Sequence, residues 1–287
     1  MPASGSAARR RSHALLTALV AAATLPAHAE LRPEWEFGAG ATAFTLPDYR
    51  GSDESRTYVF PFPYVIYRGA KLRLDRGGVR GVFFETDRVQ FDLSMTATPP
   101  VDSDKNRARE GMPHLDPTLE AGPRLNVTLV RDRVKEWALT FRLPVRAVVA
   151  TDLSHWKGAG YTMYPHLSLD TRPVLLGGKW NVGLQAGPLY GTRGYHEYFY
   201  EVAPEFATSE RPAYEARGGY SGALALASIT RRFRRIWVGA FARYDTLKGT
   251  AFESSPLVRR DYAVMAGVAV AWVFAESERR VEVDVDD

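Results

Sequence analysis

Cysteine is absent from this chain of 287 residues. Without a thiol the chain cannot form a disulfide framework, a zinc–thiolate site or a cysteine nucleophile. Long apolar runs are also missing, because no stretch after the N-terminal segment approaches the roughly eighteen apolar residues that a membrane-spanning helix requires. The sequence therefore predicts neither a disulfide-rich domain nor a helical anchor in the exported chain.

The N-terminal segment, residues 1–29, has the three parts of a secretory signal. Three consecutive arginines form a basic region at 9–11, and a short apolar region follows at 14–25. Ala27 and Ala29 place small residues at the two positions that a signal peptidase recognises. The sequence predicts export and cleavage after Ala29.

The net charge of the chain is small once the N-terminal segment is set aside. Three of the 37 basic residues lie in it and none of the 33 acidic residues does, so the mature chain has an excess of one positive charge. The basic balance of the full chain comes largely from the signal. It is no evidence for nucleic-acid binding, and we expect no nucleic-acid partner.

What the chain does have is alternation, most clearly at 137–149. Every odd position in this segment is apolar, whereas Arg142 and Arg146 occupy even positions. Side chains of a strand alternate between two faces, so the segment has one apolar and one polar face. It is longer than the five or six residues of a typical soluble strand and long enough to cross a bilayer. One such strand also suits a soluble sandwich, but repetition along the chain favours a membrane barrel.

We predict an all-β fold, a transmembrane antiparallel β-barrel of about twelve strands that occupies residues 30–274. A charged C-terminal tail is predicted at 275–287. The predicted strands are 35–46, 58–67, 70–75, 79–86, 89–97, 118–130, 137–149, 161–172, 179–190, 213–230, 236–247 and 262–274. The strand at 179–190 is predicted either to end there or to continue toward residue 200.

Three regularities support the barrel. Short and long connections mostly alternate, as in outer-membrane barrels with short periplasmic turns and longer outer loops. An even strand count returns both termini to the periplasm. Five tryptophans then fall at periplasmic strand ends, as in an aromatic girdle, although Trp237 shares the pleat parity of the interior residue Arg243.

The polar faces of the strands predict a mixed-charge lumen. Its members are Asp92, Glu120, Arg124, Arg142, Arg146, His166, Asp170 and Arg172. Because the bilayer offers no water to satisfy backbone N–H and C=O groups, a closed barrel is the all-β arrangement that can span it. Outer-membrane lipid is accordingly the first expected partner.

Several loop motifs stand out. They are PDYRGSD at 47–53, PFPYVIYRG at 61–69, GMPHLDPTLEAGPRLNV at 111–127, YEARGGY at 214–220 and SPLV at 255–258. Together they resemble the MipA/OmpV family of outer-membrane proteins, the MltA-interacting proteins, over nearly all of the mature chain. The loop residues that carry the resemblance are Gly51, Ser52, Asp53, Gly111, Met112, Pro113, Asp116, Ser255 and Pro256.

The resemblance implies a twelve-stranded outer-membrane barrel that joins a lytic transglycosylase to a peptidoglycan synthase in cell-wall remodelling. Other members are described as surface antigens or adhesins. One departure concerns the C-terminus. Barrels of this type usually end on an aromatic residue, which here is Phe274, yet this chain continues to residue 287.

Catalytic, metal and cofactor sites are not predicted, and we expect no enzyme. His166 and Asp170 share a face but are separated by about 13 Å along one strand, too far for a hydrogen bond. The nucleophile-elbow pattern is absent. Asp102, Asp104 and Glu110 could bind a cation, but a flexible charged loop is the preferred interpretation.

Two functional hypotheses follow. The chain is a platform whose periplasmic turns contact cell-wall enzymes, or it is a channel for small solutes. A barrel of twelve strands is intermediate in size between barrels filled by side chains and barrels that hold water. Its size therefore does not distinguish the two hypotheses. The predicted contact residues are Arg131, Arg133, Lys135, Arg231, Arg232, Arg234 and Arg235, together with the tail.

Overall fold

A computed structural model describes residues 30–69, 72–75 and 78–283, and gives only the backbone for residue 30 and between residues 72 and 82. The predicted signal peptide and its cleavage site lie outside the described residues. The strands are β1 (Glu30–Pro33), β2 (Trp35–Pro47), β3 (Ser55–Arg68), β4 (Leu72–Asp75), β5 (Gly78–Glu85), β6 (Val89–Thr98), β7 (Thr118–Asp132), β8 (Trp137–Thr151), β9 (Trp156–Met163), β10 (His166–Thr171), β11 (Val174–Leu175), β12 (Gly178–Lys179), β13 (Asn181–Gly191), β14 (Gly219–Phe233), β15 (Ile236–Thr246), β16 (Tyr262–Glu276) and β17 (Arg280–Val283). One α-helix, α1 (Arg193–Tyr200), and two 3-10 turns, Ser103–Lys105 and Pro204–Phe206, complete the described elements.

The main sheet is antiparallel and closes on itself. Its strands follow chain order from β2 to β10 and from β13 to β16, and β16 pairs with β2. The strands β9 and β10 occupy one position in the ring, since each pairs with β8 and with β13. The predicted barrel of twelve antiparallel strands is therefore confirmed. In the described part of the chain, no helix has the length and apolar character needed to span a membrane.

The predicted strand 161–172 is interrupted between β9 and β10 at Tyr164 and Pro165. Proline has no N–H to donate to a ladder, which explains the break. Gly187 on β13 lies directly beside it, and a Cβ at this position would come within 2.2 Å of the Pro165 carbonyl oxygen. Only glycine allows the two backbones to approach so closely.

The proposed extension of the ninth strand toward residue 200 is wrong. The strand ends at Gly191, and helix α1 follows. Tyr195, His196, Phe199 and Tyr200 are its buried residues, and their spacing of four repeats along one face of a helix. The next strand begins at Gly219 rather than at residue 213 and continues to Phe233.

The predicted tail is not a free segment. Strand β16 continues to Glu276, two residues beyond the predicted barrel end, and β17 pairs antiparallel with β1 at the N-terminal end of the described chain. Ser277 accepts a hydrogen bond from the Glu34 N–H at 2.8 Å. Arg279 forms an ion pair with Glu34 at 3.3 Å. The two ends of the barrel chain are thus joined to each other, and residues 284–287 lie outside the described part.

The wall of the barrel has an apolar outer face. Along β16, Val264, Val268, Trp272 and Phe274 are exposed, whereas the residues between them are mostly buried or half-buried. Large exposed apolar side chains in such a row suit contact with lipid rather than water. Trp237 does not belong to this outer face, because its ring packs against Tyr64 inside the barrel with the ring centroids 5.7 Å apart.

Candidate functional site

The barrel interior holds hydrogen-bonded ion pairs between neighbouring strands. Asp92 on β6 is fully buried and lies opposite Arg124 on β7 in the register. Arg124 donates to both oxygens of Asp92 at 2.9 and 2.8 Å, and the Asn126 amide adds a third bond at 3.1 Å. A buried carboxylate needs such partners, because desolvation of an unpaired charge is very costly.

A second interior group surrounds Arg146 on β8. Its guanidinium donates to the Ser94 hydroxyl oxygen at 3.0 and 2.7 Å. The nearest Glu120 oxygen is 3.8 Å from Arg146, and Thr162 donates to that carboxylate at 2.9 Å. The group joins strands β6 to β9 across the interior.

A third group lies on β8 and β10. Arg142 donates to Asp170 at 2.9 Å, and the Ser168 hydroxyl donates to the same oxygen at 3.1 Å. His166 instead contacts the Tyr164 carbonyl oxygen through Nδ1 at 2.8 Å and stacks on the Tyr164 ring. Six of the eight residues predicted for the lumen thus form ion pairs between strands, and the other two, His166 and Arg172, contact Tyr164 and Asn181.

The long connections pack into a cap over one end of the barrel. Its apolar core contains buried residues from six connections or strand ends, among them Tyr49, Leu115, Tyr200, Phe252 and Leu257. The rings of Tyr200 and Phe252 stack with centroids 3.7 Å apart. Burial raises the pKa of both Tyr49 and Tyr200 well above the ordinary tyrosine value, so both phenols stay neutral.

Arg50 connects this cap to the barrel wall. Its Nε donates to Asp245 on β15 at 2.6 Å, and its Nη2 donates to the Ser221 carbonyl oxygen on β14 at 2.7 Å. Arg243 donates to both oxygens of the same Asp245 at 2.7 Å. Tyr200 donates in turn to the Arg50 carbonyl oxygen at 2.9 Å. Neither Arg50 nor Asp245 was predicted as a site residue, although Arg50 lies inside the PDYRGSD motif.

The motif loops form the cap, and Gly51, Ser52 and Asp53 belong to the connection between β2 and β3. Ser52 is buried and accepts from Asn106 at 3.1 Å, and the Gly51 carbonyl oxygen accepts the backbone N–H groups of Arg259 and Arg260. Met112 and Leu115 lie in the cap core, so the preferred flexible loop at 98–117 is instead packed. Three other motif residues form hydrogen bonds. The Pro113 and Asp116 carbonyl oxygens accept from the hydroxyls of Ser103 and Tyr198, and the Ser255 hydroxyl donates to the Tyr200 carbonyl oxygen. Pro256 is half-buried, and Gly111 adopts a positive φ of 76°.

A serine and a histidine meet inside the cap. The His196 Nδ1 contacts the Arg217 carbonyl oxygen, and its Nε2 contacts the Ser221 hydroxyl at 2.5 Å. Since a carbonyl only accepts, Nδ1 carries the proton and Ser221 donates to Nε2. Both side chains are fully buried, and a Cβ added at Gly191 would come within 2.8 Å of Nε2. No space remains for a substrate, so the pair holds the cap together.

Asp102, Asp104 and His114 form an acidic cluster on the outside of the cap, with one ligand atom of each within 4.8 Å of the others. Asp102 pairs with Lys105 at 2.8 Å, and this contact holds the pKa of Asp102 below its ordinary value. The His114 Nδ1 accepts the Ser103 N–H at 3.0 Å. These contacts hold the loop in place. Glu110, the third residue of the cation site considered from the sequence, lies outside the cluster.

The predicted periplasmic contact residues lie on two turns at the barrel end opposite the cap. Arg133, Lys135, Arg234 and Arg235 are exposed, and Arg131 is half-buried. Two members of the set are not available as predicted. Arg232 forms an ion pair with Glu36 at 3.3 Å and is 14% exposed. Arg231 lies over the rings of Phe233 and Trp180 on the outer wall.

The family model described as "MltA-interacting protein MipA" matches residues 39–274. No curated protein is similar enough in sequence to count as a match. The match to the family model begins inside β2 and ends at Phe274, the last aromatic residue of β16.

Solved structures of similar shape include outer membrane phospholipase A from Escherichia coli, with 11% identity, a TM-score of 0.31, and coverage of 84% of this chain and 94% of that chain. The Pseudomonas putida toluene transporter TodX has 11% identity, a TM-score of 0.33, and coverage of 84% and 90%. The outer membrane protein OprG from Pseudomonas aeruginosa has 9% identity, a TM-score of 0.24, and coverage of 83% and 94%. Likeness at this level carries no argument about activity, and the fold rests on the strand register described above.

Proposed function

The chain belongs to the family of the MltA-interacting protein MipA and is an outer-membrane β-barrel, and we propose that it acts as a non-enzymatic scaffold for cell-wall enzymes. By family resemblance the partners are a lytic transglycosylase and a peptidoglycan synthase. The observation that carries the proposal is the contrast between the two barrel ends. One end is covered by a packed cap, and the other presents short exposed turns and the joined termini.

The cap and the interior pairs weigh against a channel. The cap core includes fully buried residues such as Leu247, Phe252 and Leu257. In the interior, Arg124 and Arg142 are held by carboxylates and Arg146 by a hydroxyl, rather than left to line a water path. We therefore expect purified protein in planar bilayers to show no stable single-channel conductance. A reproducible open pore would favour the small-solute channel.

The exposed turn cations are the proposed docking surface. Arg133 and Lys135 lie on the β7–β8 turn, and Arg234 and Arg235 lie on the β14–β15 turn. Exposed charges at a rim contribute mainly to the association rate, and salt screens them. A docking surface of this kind should capture an acidic partner surface more strongly at low ionic strength.

The test uses immobilised full-length barrel and the two purified enzymes. Replacing Arg133, Lys135, Arg234 and Arg235 with serine should reduce capture at low salt. Arg232 stays unchanged, because it is mostly buried and pairs with the buried Glu36, which also pairs with Arg68. Serine at Lys157 and Arg217, which are exposed at the capped end, provides the matched control. Equal capture by the two variants would eliminate this docking surface.

A further inference from the structure

The outer wall of the barrel contains an apolar groove of about 490 Å³. Its floor consists of alanines on adjacent strands, with Ala186 paired to Ala225 and Ala227 paired to Ala242. Leu184 bounds it on one side and Tyr244 on the other. These small side chains on neighbouring strands make a depression between the larger side chains of Leu184 and Tyr244.

The register places the groove on the lipid side. Arg243 points into the barrel, where it binds Asp245, so Ala242 and Tyr244 on either side of it point outward. Paired residues of an antiparallel sheet share a face, so Ala227 and Ala225 also point outward. Leu184, Tyr244 and Val264 are each about half exposed. The groove therefore opens to the hydrocarbon region of the bilayer.

A cationic group lies next to the groove at the capped end. Tyr244 stacks on Tyr262 with ring centroids 6.2 Å apart, and the Arg260 guanidinium lies 5.8 Å from the Tyr262 ring centroid. No carboxylate lies within ion-pair distance of Arg260 in the part of the chain that the structure describes. The backbone of Arg260 is fixed, because its N–H donates to the Gly51 carbonyl oxygen at 3.0 Å.

This arrangement follows the amphipathic pattern of a phosphorylated lipid. Tyrosines are enriched where hydrocarbon meets headgroups, so the Tyr244–Tyr262 pair suits the interface of the leaflet on the capped side. A guanidinium is the side chain best suited to a phosphate, through two parallel hydrogen bonds. An apolar groove that leads to an unneutralised arginine thus matches an acyl chain joined to an anionic headgroup.

We propose that this groove binds one phosphorylated membrane lipid, with an acyl chain along the alanine floor and its phosphate on Arg260. The site lies on the wall and at the capped end, away from the exposed turns of the proposed docking surface. Lipid binding at this groove is therefore independent of the scaffold function.

The test is native mass spectrometry of the full barrel in mild detergent, with dimyristoyl phosphatidate, dimyristoylglycerol and inorganic phosphate offered separately. The wild type should retain phosphatidate about tenfold better than the diacylglycerol, because one charge-assisted contact distinguishes them. Arg260→Gln should abolish that preference, whereas Arg217→Gln, at an exposed arginine elsewhere in the cap, should preserve it.

A second pair of variants tests the groove itself. Ala227→Phe or Ala242→Phe should fill the groove and reduce phosphatidate retention, whereas Ala41→Phe, at an exposed outward alanine on β2, should not. A heat-dependent shift in gel mobility shows that each variant is folded. Equal retention in folded Ala227→Phe, Ala242→Phe and Ala41→Phe would overturn the groove. Equal loss of the preference for phosphatidate in Arg260→Gln and Arg217→Gln would overturn the contact between the headgroup and Arg260. Binding of inorganic phosphate as strong as that of phosphatidate would overturn the assignment of a lipid as the ligand.

Discussion

Substitution of Asp245 by asparagine removes the charge that joins the cap to the barrel. Asp245 is fully buried and accepts three short hydrogen bonds, two from Arg243 and one from Arg50. Asparagine has nearly the same shape but only one acceptor oxygen and no charge. The variant leaves the buried Arg50 guanidinium and the half-buried Arg243 guanidinium next to each other with no anion between them.

The expected cost follows from this geometry. Removal of one partner from a buried ion pair typically destabilises a protein by about 3–5 kcal/mol, because an uncompensated charge stays buried. The comparison pair is Lys248 and Asp261, with side chains 74% and 49% exposed and 3.3 Å apart. Asp261→Asn should cost at most about 1 kcal/mol, since water screens exposed pairs.

The assay is guanidinium unfolding of the purified barrel in detergent, followed by tryptophan fluorescence, with protease digestion as a second measurement. Asp245→Asn should lower the unfolding midpoint and speed cleavage at 201–218, because the cap loses its anchor. Addition of Arg50→Gln should recover about 0.5–3 kcal/mol by removing one stranded charge. A cost for Asp245→Asn no greater than that for Asp261→Asn would refute the argument.

Three further predictions concern other parts of the chain. Leu143→Arg on the outer face should cost about 2–4 kcal/mol if Leu143 lies near the bilayer midplane, whereas Val134→Arg, at a turn residue that is 85% exposed, should change stability by less than about 0.5 kcal/mol; equal costs would contradict the location of Leu143 in the lipid-facing wall. Burial lowers the pKa of His196 below its ordinary value, so the unfolded cap binds a proton that the folded cap does not, and protease cleavage of the cap should accelerate as the pH falls below about 6.5. His196→Gln should flatten that dependence, and an unchanged pH profile would rule out His196 as its source. N-terminal sequencing of outer-membrane fractions should begin at Glu30, and a mature chain that begins at another residue would contradict the predicted cleavage after Ala29.

Sequence periodicity was sufficient for the barrel and its two faces. The alternation in 137–149 follows from the two-residue repeat of a strand, which is a local property of the backbone. The outward residues Leu139 and Leu143 and the inward residues Arg142 and Arg146 could therefore be assigned without knowledge of any neighbouring strand. The count of twelve rested on the same alternation in most of the strands, although the strand at 58–67 is apolar on both faces.

Which interior charges pair with one another required the strand register. Arg124 was identified as an inward residue, but its bond to Asp92 depends on the alignment of β6 with β7. A shift of one residue would turn every side chain of a strand to the opposite face. The alternation within one strand does not show how that strand aligns with another strand tens of residues away in the chain.

The cap depended entirely on tertiary structure. Its core residues, such as Tyr49, Leu115 and Phe252, are scattered among polar loop residues and show no periodicity that would distinguish them from an exposed connection. Arg50 and Asp245 are 195 positions apart, and each alone looks like an ordinary surface charge. Closure of the barrel brings the ends of distant strands to one rim, and only there do these loops exclude water from one another. Local periodicity thus determined the wall of this protein, whereas the packing of distant segments determined which end of the barrel is covered.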